Sequence, residues 1–292
     1  MKFVEIQKRI YSIESCYFCL EETLSEKKSM KTQITYFAIL FSLLFAACNS
    51  SSHKNETSEE SKTQPKFPNE NQLEEKMAAI ENNKDLLVVN SLNYNNNAGS
   101  TASAIAYLDA EKNTVKMDEI FSDVTNGNYG THTFYIENGK KIVSKEVYFD
   151  NELKVPIFVE RISFYNKNQK VIYTKERTAE YEEDLPKMQF QIAKLKECSL
   201  DRTMRILNQE KDFETTFQGF ASDGSTKFLL VGENTPDGFA SSLAVQRLDK
   251  EIEKLSNNEK AMIGKKLEIQ YDVMVDEQGL TFQILQSVTI LN

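Results

Sequence analysis

The stretch THTFYIENGKKIVSKEVYF, residues 131–149, decides the fold. Two runs in which apolar and polar residues alternate, 131–136 and 141–149, flank Asn138-Gly139. Alternation with period two sends successive side chains to opposite faces of a strand. Asn-Gly tolerates the positive φ that a two-residue hairpin turn requires at both central positions. The stretch is therefore a β-hairpin. Outward from it, 104–109 and 114–121 flank Ala110-Glu111-Lys112-Asn113, and 158–165 and 170–174 flank 166–169. An antiparallel meander follows, with FYIENGKK and SFYNKNQK as a loose internal repeat.

Elements on either side extend this unit. Residues 72–83 (QLEEKMAAIENN) carry Leu73, Met77 and Ile80 at helical spacing, and the run 86–89 predicts a buried strand. Residues 180–197 predict a charged helix beginning near Pro186, with Met188, Ile192 and Leu195 on one side. Ser199 is an N-cap candidate for a helix carrying Met204, Ile206 and Leu207. Residues 213–222, with Gly219 inside, 227–232 and 242–247 predict strands. A helix over 249–256, capped by Asp249, and a hairpin of 265–275 and 281–291 complete the chain. This order, three strands, a helix and two strands, resembles the OB fold, a five-stranded Greek-key barrel. The fold class expected is α+β and strand-rich. A β-meander domain with flanking helices (70–198) precedes a capping helix and an OB-like barrel domain (199–292).

With 292 residues, 40% hydrophobic and 27% charged, the chain is long enough for two modest domains and has the balance of an ordinary globular protein. Eighteen Phe and 12 Tyr against no Trp and few Gly or Pro suit strands held by side-chain packing. The formal charge is −9; without residues 1–47, 29 basic residues face 39 acidic ones, or −10. That sign sets the chain against nucleic-acid phosphates.

Residues 30–47 supply an address. Met30 and Lys31 precede an apolar run, 34–47, of about 14 residues, within the roughly 7–15 of a signal-peptide core and short of the roughly 20 that span a bilayer. It ends at Leu44-Phe45-Ala46-Ala47-Cys48, which resembles the lipobox of bacterial lipoproteins. The resemblance implies that Leu44, Phe45, Ala46 and Ala47 are read by the signal peptidase and that Cys48 carries lipid and becomes the mature N-terminus. Phe45 stands where such motifs usually have Leu. Residues 48–69 predict a flexible tether, and 1–29 an upstream stretch from a start codon assigned too early. The expected location is the cell envelope, at the outer membrane before the inner, with surface display open.

Catalytic signatures are missing. His53 lies in the tether and His132 opens a predicted strand, and no HExxH, GxSxG, GxxxxGK or GxGxxG motif is present. No metal ligand set and no cofactor are expected. Cys16 and Cys19 form a lone CxxC upstream of the lipidation site. Cys198 reads as a small buried residue at a helix junction, and His132 as a surface or capping residue. Phe228, Phe239 and Arg247 fall where OB folds bind ligands, although the two Phe residues suit the barrel core better. The expectation is a non-catalytic binding or accessory module for a protein or glycan partner. An inhibitor or immunity lipoprotein against an exported toxin or hydrolase, and an enzyme of unrecognised type, are the alternatives.

Overall fold

Helix α1 (Glu70–Asn82) opens the ordered chain, its Leu73, Met77 and Ile80 turned onto a sheet that begins beneath them. The structure, a computed structural model, describes residues 67, 69–275 and 281–291. Cys48, the signal residues Leu44 to Ala47, His53 and most of the predicted tether lie outside them.

The meander has the expected hairpins. Strands β1 (Leu87–Asn90), β2 (Tyr94–Asn95), β3 (Thr101–Leu108), β4 (Thr114–Asp123), β5 (Asn128–Glu137), β6 (Lys140–Asp150), β7 (Ile157–Tyr165) and β8 (Val171–Ala179) follow in order. From β2 to β8 each pairs antiparallel with the next. At the β5–β6 turn Asn138 has φ 52° and Gly139 φ 71°, the two positive values a hairpin of this length demands.

Two elements differ from expectation. β1 is exposed along its whole length, because it pairs only with β3 at the margin of the sheet. Residues 180–197 form no α-helix. A 3₁₀ turn, Glu182–Lys187, encloses Pro186, and the chain then extends into β9 (Gln191–Ile192), which pairs with β8. Ala193 N–H donates to Thr174 O at 2.9 Å, and the Ser163 hydroxyl donates to Lys196 O at 2.9 Å. Sheet partners therefore satisfy backbone groups that a helix would have paired internally, and they override a weak helical propensity.

Helix α2 (Asp201–Asn208) follows; its N-cap is Leu200 and not the expected Ser199, whose Oγ accepts the Asp201 N–H at 3.2 Å from one residue further out. The chain continues through β10 (Thr216–Asp223), β11 (Thr226–Gly232), β12 (Ala240–Val245), α3 (Lys250–Asn257), α4 (Glu259–Met262), β13 (Leu267–Val275) and β14 (Thr281–Ile290). Asp249 caps α3, accepting the Ile252 N–H at 2.8 Å. Among the described residues, fourteen strands form one mixed sheet that does not close. Its one parallel pairing joins β12 to β14. An isolated bridge, Thr216↔Lys266, links the start of β10 to the approach to β13.

The segments 70–198 and 199–292 meet where Ala240 of β12 pairs with Asn95 of β2. Leu92, Tyr94, Ala102 and Ala104 share one apolar cluster with Phe213, Phe217, Leu229, Leu243 and Leu255. Tyr94 donates its hydroxyl to Phe213 O at 2.7 Å, so even the polar tip of this buried ring is satisfied.

Candidate functional site

Cross-strand pairing lines up Glu119, His132, Glu146, Arg161 and Glu176 in one row across β4 to β8. Directly opposed residues share a face, so five ionisable side chains stand abreast. The segment leading into α2 and α2 itself cover part of this face, with Cys198, Leu200, Met204 and Leu207 packed with Ala106, Met117 and Phe134. Charge taken out of water is tolerated only when it is paired, and most of the row is. Glu119, 1% exposed, is paired with Arg202 and accepts the Thr203 hydroxyl at 2.7 Å. Arg161 bridges Glu176 at 2.6 Å and Glu146 at 3.5 Å.

His132, Glu146 and Cys198 converge at the middle of this row, their nitrogen, oxygen and sulfur donor atoms all within 4.8 Å of one another. His132 does not open its strand; it sits inside β5 and is partly buried, its ring centroid 4.7 Å from that of Phe121 and 6.5 Å from that of Phe134. That burial holds its imidazole below the usual histidine value, against the opposing pull of Glu119 and Glu146. Burial pushes the Cys198 thiol well up, and Glu146 adds to the shift. A buried protonated thiol is a poor nucleophile, in keeping with Cys198 as a small packed residue. Its backbone is fixed on both sides. The Lys141 ammonium donates to Cys198 O, and Cys198 N–H donates to the Tyr165 hydroxyl at 3.1 Å.

The opposite face is divided along its strands. α1 covers Tyr135, Val143, Phe164 and Tyr173 at one end. At the other end lies an open trough of about 750 Å³, lined among others by Ile120, Tyr129, Thr131, Lys145, Phe158 and Glu182. Ile120 is 46% and Tyr129 45% exposed. The Tyr129 ring is braced by Phe149 at 5.3 Å and Phe158 at 6.1 Å. Lys145 pairs with Glu160 at 3.1 Å, which keeps a charge beside the trough.

The three residues selected from the OB resemblance are not gathered into one cluster. Phe239 packs against the apolar core with its ring 5.0 Å from Phe213, Phe228 is half-buried in β11, and Arg247 is exposed beyond β12. Sequence reading missed both the polar row and the trough, because each is made of single residues from successive strands with no linear spacing. No known protein family matches the chain, and no curated protein and no solved structure is similar to it.

Proposed function

We propose that the protein is an exported binding module of the cell envelope, lipid-anchored at Cys48, that holds a glycan in the trough at the uncovered end of its sheet. The observation that carries this reading is the trough itself. α1 covers one end of this face, yet Ile120 and Tyr129 at the other end stay open to solvent. A sugar ring has apolar faces and a rim of hydroxyls. The trough answers both, setting the rigidly braced Tyr129 ring beside Thr131, Thr133, Asn128 and Lys145. A protein partner calls instead for a contiguous apolar centre depleted of charge, and here hydroxyl and charged groups interrupt the apolar ones. The protein acts without turnover in this reading and sits at the outer membrane.

The OB-like reading of the last 80 residues belongs to the same proposal. Its support is the neighbour order β10-β11-β12-β14-β13, the helix α3 between β12 and β13, and Gly219 at φ 126° where the β10–β11 register shifts.

Calorimetric titration of the full chain with a panel of soluble envelope oligosaccharides tests the trough. Tyr129→Ala should weaken the binding saccharide at least tenfold, or about 1.4 kcal/mol, with the fold intact. Saccharide affinity unchanged by Tyr129→Ala, or a trough that takes only protein, overturns the glycan reading. Incorporation of radiolabelled palmitate into wild type but not Cys48→Ala tests the anchor separately.

A further inference from the structure

We propose that His132, Glu146 and Cys198 form a three-ligand site for a divalent cation of the zinc class, on the sheet face opposite the trough. Three separate parts of the fold deliver the donors: β5 gives the imidazole, β6 the carboxylate and the segment before α2 the thiol. One nitrogen, one oxygen and one sulfur make a set that excludes calcium and magnesium, which take oxygen donors, and suits zinc.

The hydrogen-bonding of the row singles these residues out. Glu119, Arg161, Ser144, Ser163 and Thr174 each have a side-chain partner. Among the described residues, neither a ring nitrogen of His132 nor Cys198 Sγ makes a hydrogen bond. Glu146 is only loosely held, since Arg161 approaches it at 3.5 Å but Glu176 at 2.6 Å. The imidazole and the thiol are thus uncommitted, and the carboxylate between them is held, among the described residues, only by the long Arg161 contact.

Charge and geometry agree with this assignment. Bonds of about 2.0–2.3 Å around a tetrahedral zinc place donors roughly 3.3–3.8 Å apart. The 4.8 Å spread closes to that by side-chain rotation of about 1 Å. A dication is balanced by the Glu146 carboxylate and a Cys198 thiolate. Binding breaks the Cys198 S–H bond, forms S–metal, and releases one proton to solvent. Glu119, the cross-strand neighbour of His132, is anchored by Arg202 and Thr203. His132 is partly exposed, so ions enter from its side. Three protein ligands leave a fourth position for water.

Cobalt(II) titration of the full chain tests the site, with Cys16, Cys19 and Cys48 changed to serine so that Cys198 is the sole thiol. Expected are a sulfur-to-cobalt charge-transfer band saturating at one equivalent, its displacement by zinc, and the uptake of metal with release of one proton. Adding Cys198→Ser should abolish the band, and adding His132→Ala should weaken binding roughly tenfold or more. Far-ultraviolet circular dichroism establishes that each variant is folded. Should a variant unfold, the parent decides alone: a one-equivalent thiolate band supports the site. No thiolate band at micromolar cobalt in the parent, or an unaltered titration in folded Cys198→Ser protein, overturns it.

Discussion

Thr203 donates its hydroxyl to Glu119 at 2.7 Å, fastening α2 to β4 across the buried face of the sheet. Glu119 is the most buried member of the polar row, and its second partner, Arg202, is partly in solvent. Thr203→Val keeps the shape and deletes the donor, leaving a buried carboxylate oxygen short of one bond. A loss of about 1–3 kcal/mol in urea unfolding is expected, with Thr203→Ser near wild type. Equal stability of the Val and Ser variants would show that the bond contributes nothing.

Lys175 performs the equivalent task on the other face. Its ammonium reaches Glu70 and Glu74 of α1, each at 2.6 Å, and both Lys175 and Glu70 are buried. Lys175→Met leaves the Glu70 carboxylate buried without its cation, at a cost of about 3–5 kcal/mol. Glu74 can return to water and adds little. Hydrogen exchange should show α1 opening first; protection of 70–82 unchanged in the variant would refute the assignment.

Two glycines separate crowding from backbone strain. A Cβ on Gly130 would come within 2.3 Å of Val147 O, whereas one on Gly139 meets nothing within 4 Å, and only its φ of 71° resists substitution. Gly139→Ala should cost about 1–2 kcal/mol. Gly130→Ala should cost more, because β6 backbone must move. Thermal unfolding ranks them, and the reverse order would contradict the packing described for β5 and β6.

Stability should fall on acidification through His132. Burial depresses its pKa in the folded protein, so below the ordinary value of about 6.5 the unfolded chain takes up a proton that the native protein refuses. The contribution is full above that pH and declines as pH drops toward the folded value, by up to about 1.4 kcal/mol per pH unit. His132→Phe should flatten the dependence between pH 7 and pH 5 in urea unfolding. Parallel curves for variant and wild type would mean that other groups carry it.

The hairpins were legible because their determinants are local. Asn138-Gly139 dictates its turn, period two assigns alternate residues to faces, and Asp249 marks a helix start with its own side chain. The candidate site was not legible, and one irregularity shows why. The turn pairs Glu137 with Lys140 and Ile136 with Lys141, and an unbroken ladder would place Lys145 opposite His132. A register shift between Tyr135 and Ile136 puts Glu146 there instead. A slip of one residue exchanges the two faces of a strand, and whether it occurs depends on how β6 packs against β7 and α1.

Residues 180–197 teach the same lesson, since their helical spacing yielded to hydrogen bonds offered by β8 and Ser163. The sequence by itself determined the alternating strands, the turns and caps, and the acidic balance, all of which follow from neighbours a few residues apart. Only tertiary structure decided that β12 meets β2, that Cys198 lies beside His132 and Glu146, and that one end of a sheet face stays open. Those are contacts between residues far apart in the chain, selected by burial of the whole rather than by any local preference.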